Sequence, residues 1–307
     1  MTRPDHRFRR ALAGVFAAFL LFAWFVQPAA AKEHRLHGQG RLFKVTAAGV
    51  TPSYVFGTMH STDPDVLKLP APVAHAFAAS GRLILEMVFT PDVETRMSEA
   101  MRLKGGRTLA KIVGPEIYGK LVKRAAVYGL PAQQMNGLQP WAASMIFSVP
   151  VAELNREAAG KLALDRALQQ QANARGIPVY GLESLKEQIA TFSDSSERDQ
   201  IDNLRLTLDL NPEIDSAFAE MKKTYLAGDL DGLHSMVKSM FSAKDAHLER
   251  QFDKDFIEKR NKRMANRLAR YVKHGGAFVA IGALHLSGKD GVLHLLEIRG
   301  YTVTRAD

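Results

Sequence analysis

A chain of 307 residues with 46% hydrophobic side chains has room for one large core or two ordinary ones, and long disordered spans are excluded. It contains no cysteine, which rules out disulfides, thiolate nucleophiles and thiolate metal sites. The formal net charge of +9 comes without a basic cluster interleaved with aromatics, which argues against a nucleic-acid partner.

The chain opens like an export signal. Arg3, Arg7, Arg9 and Arg10 make a positive start and residues 11–26 form an apolar run too short for an ordinary membrane span. Gln27, Pro28, Ala29, Ala30 and Ala31 then resemble a small-residue cleavage site. Residues 1–31 are therefore expected to be a signal peptide and residues 32–307 a single domain, periplasmic or secreted. The alternative is a retained anchor in the inner membrane, with the domain facing the periplasm. Cleavage removes four basic residues and one acidic residue, which takes the net charge from +9 to +6. That mild excess reads first as a solvated lysine-rich face and second as a peripheral attraction to an anionic membrane.

Short apolar runs then alternate with longer amphipathic ones, without a solenoid repeat or a low-complexity block. Residues 41–47 (RLFKVTA) and 53–56 (SYVF) read as a hairpin around a turn at residues 48–52. Further strands are expected at 82–87 (RLILEM), 177–181 (IPVYG), 277–281 (AFVAI) and 301–305 (YTVTR). Helical patterns cover 72–79, 115–128, 161–174 and a long region from 197 to 271. The predicted class is α/β with an α+β tendency. It has a central, mostly parallel sheet that starts with an antiparallel hairpin, helices on both faces and large helical insertions.

Each buried run ends in a residue that can do chemistry. Residues 53–56 lead to Gly57 and His60, residues 83–85 to Glu86, residues 179–182 to Glu183, and residues 278–281 to Gly282 and His285. In an open parallel sheet, ligands gather beyond the carboxyl ends of the strands, so these four residues are expected on one rim. Gly57 and Gly282 are expected to supply turn conformations that other residues avoid, aiming each histidine back over the sheet edge. Glu86 sits among Leu85, Met87, Val88 and Phe89, where an ionised carboxylate needs a partner or a metal. Glu183 also reads as the cap of a helix from Ser184 to Ala190, and Arg260 with Asn261 as a surface pair on the last long helix.

These residues resemble the TraB/GumN family, which includes Tiki-type proteases. Its marks are two G-x-x-H motifs, here Gly57-Thr58-Met59-His60 and Gly282-Ala283-Leu284-His285, and a glutamate after the next strand, here Glu86. The surrounding LPAPVAHAFAAS, IPVYGLESLKEQ and GALHLSGKDGVLHLLEIRGYTV stretches match too, so the resemblance spans residues 41–305. Two positions depart from the pattern: Ala163-Leu164-Asp165 replaces Gly-Leu-Asp, and Ser184 follows Glu183 in place of Thr. Asp165 and Glu183 therefore transfer less firmly than the histidines and Glu86.

The resemblance implies a fold shared with erythromycin-esterase-like and haem-binding ChaN-like proteins, with metal-dependent hydrolysis in the Tiki branch. The leading expectation is a hydrolase of peptide or small acyl bonds in which His60, Glu86 and His285 are catalytic and hold Mn²⁺, Co²⁺ or Zn²⁺. Glu86 serves either as a metal ligand or as the base beside it. Glu183, Arg260 and Asn261 are candidates for substrate binding. Two rivals remain open at this stage. One is a metal-free esterase in which His60 is the general base and Glu86 its orienting group. The other is a non-enzymatic haem or metal carrier.

Overall fold

The computed structural model describes residues 34–307, so the expected signal peptide lies outside the described residues. They gather into two compact units. One comprises residues 90–161 and 185–218, and the other residues 34–89, 162–184 and 219–307.

The second unit is built on a six-stranded mixed sheet in the order β4-β3-β5-β2-β1-β6. β1 (Leu42–Thr46) and β2 (Ser53–Thr58) form the expected antiparallel hairpin, with Leu42 opposite Phe56 and Val45 opposite Ser53. β3 (Arg82–Leu85), β4 (Val179–Gly181) and β5 (Ala277–Gly282) run parallel to one another and to β2. β6 (Thr302–Arg305) closes the sheet antiparallel to β1. Burial follows sequence pattern. All six residues of β5 are buried, as a continuous apolar run in a central parallel strand should be. Edge strand β6 alternates, burying Val303 and exposing Thr302 and Thr304.

Helices at Ala71–Ala79, Leu164–Ala174, Lys259–Val272 and Val292–Glu297 accompany the sheet. Lys259–Val272 carries a strong apolar stripe that buries Met264, Ala265, Leu268 and Val272. It follows a π-helical segment, Phe252–Glu258, that shifts the backbone register just before Arg260. The long 197–271 pattern therefore breaks into a series of helices rather than one.

The first unit is helical, and most of its elements were not legible in the sequence. Pro91–Ala100, Pro140–Phe147 and Val151–Ala158 are helices outside the anticipated set. Every residue of Pro140–Phe147 is buried, so it lacks the polar face that makes a helical period visible. Trp141 stacks on Phe192 with ring centroids 5.9 Å apart. The Leu109–Val127 helix is interrupted at Gly114, whose φ of +77° breaks the helix before Pro115 restarts it. Among the described residues, no helix is long and apolar enough to cross a membrane.

Candidate functional site

The parallel arrangement sets the site. Strands β4, β3, β5 and β2 are consecutive neighbours pointing the same way, so Glu183, Glu86, His285 and His60 follow their carboxyl ends along one edge. His285 Nε2 lies 3.8 Å from Glu86 Oε1 and the charge of His60 also acts on Glu86, which places the three within one electrostatic neighbourhood.

His60 lies two residues past β2. Its Nδ1 faces Asp165 Oδ2 at 2.6 Å, and the other Asp165 oxygen accepts from Thr58 Oγ1 at 2.8 Å. Asp165 stands in the first turn of Leu164–Ala174, where a helix N-terminus favours negative charge. The backbone N–H of Leu164 donates to Ser61 O at 3.1 Å, pinning that helix start to the histidine loop. Burial opposes charge on His60, but the Asp165 carboxylate overrides it through its charge and its hydrogen bond and lifts the imidazole to about 9. His60 is thus a protonated, carboxylate-held ring at neutral pH.

Glu86, the first residue after β3, is buried with both oxygens engaged. Oε1 accepts from the Gly282 N–H at 2.7 Å and Oε2 from Arg260 Nη2 at 2.6 Å. Burial alone would keep it protonated, yet Arg260, the protonated His60 and the Gly282 amide hold its carboxyl far below the usual range. Glu183 is tied backbone to backbone with Glu86 at 2.6 Å. Its Oε2 accepts from Arg260 Nε at 3.0 Å and Nη2 at 2.7 Å, while Oε1 lies 3.2 Å from Arg263 Nη1.

His285 sits in the 3-10 turn Ala283–His285 after β5. Asn261 fixes its tautomer. The Asn261 Nδ2 donates to Asp290 O at 2.8 Å, so its Oδ1, 2.6 Å from His285 Nδ1, must accept. Nδ1 therefore carries the proton, and Nε2 takes a hydrogen bond from Arg260 Nη1 at 3.1 Å. Burial, reinforced by the Arg260 charge, pushes His285 down to about 3, so this ring is neutral. The two imidazoles are held oppositely, one charged and one neutral.

Several expectations change here. Neither Gly57 nor Gly282 has a positive φ, and Gly282 sits at φ −54°, ψ 136°, so backbone freedom is not their role. Gly57 lies inside β2 because a side chain there would meet Leu286 Cδ1 at 2.7 Å and Ala283 Cα at 3.2 Å, in the turn that carries His285. Gly282 contributes the amide that holds Glu86. Glu86 does not orient His60 either; Asp165 does, because it is the carboxylate in reach of Nδ1. Arg260 and Asn261 are buried, not a helix-surface pair. Arg263, three residues beyond Arg260 and so on the same helix face, was missed. Its signal was the i, i+3 arginine spacing, which on a basic helix looks like ordinary solvated charge.

Three buried carboxylates, Glu86, Glu183 and Asp165, thus meet three cations, Arg260, Arg263 and protonated His60, and the charges balance without an added ion. Among the described residues, no group of three His, Asp or Glu is already arranged to hold a metal ion. The donors still suit a divalent ion. Each imidazole has Nδ1 tied to an oxygen, which directs Nε2 outward as metal-ligating histidines require, and Glu86 adds a carboxylate. Arg260 is the group now lying on two of those three donors.

A sequence profile of the TraB/PrgY/gumN family matches residues 41–305. Among curated proteins, the chain is similar to the zebrafish (Danio rerio) protein named Metalloprotease TIKI1, at 22% identity over 94% of this chain and 70% of the relative. It is also similar to the Metalloprotease TIKI homolog of the sponge Amphimedon queenslandica, at 25% identity over 83% of this chain and 59% of the relative's length. No solved structure matches.

Proposed function

The chain belongs to the TraB/PrgY/gumN family, and from that premise and the chemistry of the sheet edge we propose that it is a divalent-metal-dependent hydrolase of peptide or related acyl bonds, working in the periplasm. The observation that carries the reading is the convergence of His60, Glu86 and His285, with each imidazole anchored through Nδ1 on a buried oxygen acceptor. The relatives' metalloprotease names point the same way.

In this reading His60 Nε2, after losing the proton that Asp165 now holds on the ring, would join His285 Nε2 and Glu86 in holding the ion. A bound divalent cation polarises a scissile carbonyl and lowers the pKa of water to about 7. The remaining groups are the chain's own contribution. Asp165 and Asn261 fix the rotation and tautomer of the two rings. Glu183 and Arg263 keep Arg260 buried beside the centre, where its fixed positive charge stabilises a developing oxyanion. The apolar strand ends beneath, Leu85, Ile281 and Phe56, keep the floor dry.

The rival in which unassisted His60 is the general base fits less well, since without an ion nothing displaces the proton that Asp165 holds on the ring at neutral pH. The test is a panel of peptides and esters assayed with chelated protein and with protein reloaded with Mn²⁺, Co²⁺ or Zn²⁺. Turnover is expected only in reloaded protein. His60→Ala, Glu86→Ala and His285→Ala should each lower it by at least about a thousandfold. Full activity in rigorously metal-free protein would rule out the metal-dependent reading.

A further inference from the structure

Arg260 does more than pair with two buried carboxylates. A helix-borne guanidinium is always charged and costly to bury, and this one is 8% exposed. Its N–H groups divide into two sets. Nε and one Nη2 proton go to Glu183 Oε2, on a carboxylate outside the proposed ion ligands. The other Nη2 proton goes to Glu86 Oε2 at 2.6 Å, and Nη1 donates to His285 Nε2 at 3.1 Å. The second set occupies the lone pairs that a divalent cation would need.

We propose that Arg260 is a built-in competitor for the ion site. Its guanidinium holds Glu86 and His285 in place in the ion-free chain and must cede them for an ion to bind, resting then on Glu183. The inference rests on the metal reading of the same edge, and it adds a specific role for Glu183 and Arg263. Arg263 Nη1 lies 3.2 Å from Glu183 Oε1 while Arg260 engages Oε2, so the two arginines take different oxygens of one carboxylate. Two cations cannot share one carboxylate oxygen and one imidazole lone pair in a buried, poorly screened site without strong repulsion. The cost is affinity: the ion binds only as tightly as it outcompetes the arginine.

The inference predicts opposite effects at the two ends of one ion pair. Arg260→Met keeps an unbranched stem and removes the competing guanidinium, so Mn²⁺ measured by calorimetry on the full chain should bind at least about tenfold more tightly than in the unchanged protein. The same variant should lose thermal stability when ion-free and regain more of it on adding Mn²⁺, because the ion then neutralises carboxylates that the arginine no longer pairs. Glu183→Gln removes the anchor that receives Arg260 and should weaken Mn²⁺ binding by about tenfold. This second variant keeps the test alive if Arg260→Met fails to fold. Equal or weaker Mn²⁺ binding by Arg260→Met, or unchanged binding by Glu183→Gln, overturns the competitor role while leaving a metal site standing. No Mn²⁺ binding by any of the three proteins overturns the metal reading and this inference together.

Discussion

His60 shows how far one buried contact reaches. The ring is two residues past a strand, burial works against its charge, and Asp165 is the largest influence that restores it. Asp165→Asn removes that charge and leaves a neutral amide that still faces Thr58 Oγ1. The His60 ring should then titrate well below about 9 when its C–H resonances are followed by NMR. Turnover and ion affinity should both fall by about 10- to 100-fold, the usual effect of losing the group behind a ligating histidine. An unchanged His60 titration in that variant would show that Asp165 does not control the ring. Asp165 itself could be read in the sequence only as a family position of weaker standing. Nothing local announces that an aspartate in the first turn of a helix will meet a histidine 105 residues earlier.

At the scale of elements, most of what bears on chemistry was readable, because each strand ends where its apolar run meets a Gly-x-x-His or a glutamate. β2, β3, β4 and β5 fall within two residues of their expected limits, and their parallel order brings the four end residues to one edge. Packing was not readable. Gly57 was expected to be a hinge, yet it is the place where the His285 turn presses against β2. That contact gives Gly57→Ala a definite outcome. The added methyl must push Leu286 and the Ala283 backbone aside, costing about 1–3 kcal/mol of stability as overpacking does. Because Ala283 begins the turn that carries His285, turnover should fall too, while a flexible Leu286 alone would spare it. Denaturant midpoints and kcat measured on one preparation separate these outcomes. The all-buried Pro140–Phe147 helix shows the opposite blindness, since an element apolar on every side has no period for a sequence to reveal.

Over the whole molecule, a chain without cysteine must hold its histidine-rich edge by packing and charge alone, which makes its stability depend on pH. His234 belongs to the Leu230–Ser239 helix, packed against the Ala283–His285 turn. Its ring hydrogen-bonds the Leu284 backbone, and its Nε2 has no hydrogen-bond partner among the described residues. Burial, then the nearby charges of Arg35 and Lys238, push it from 6.5 down to about 3, so the folded protein refuses a proton that the unfolded chain accepts. The sign follows directly. The stability His234 protects is complete above about 6.5 and drains away as pH falls towards about 3, and one such proton amounts to about 2 kcal/mol between pH 7 and 5. His285 is depressed in the same direction, so the acid limb will not vanish when His234 is removed, but it should become shallower. Chemical denaturation of the unchanged chain and of His234→Phe at pH 7 and pH 5 measures this. The expected result is a fall in stability on acidification that is smaller by about 2 kcal/mol in the variant, whatever its stability at pH 7. Equal falls in the two proteins would mean that His234 takes up its proton in the folded state, and that the wall behind the His285 turn admits water.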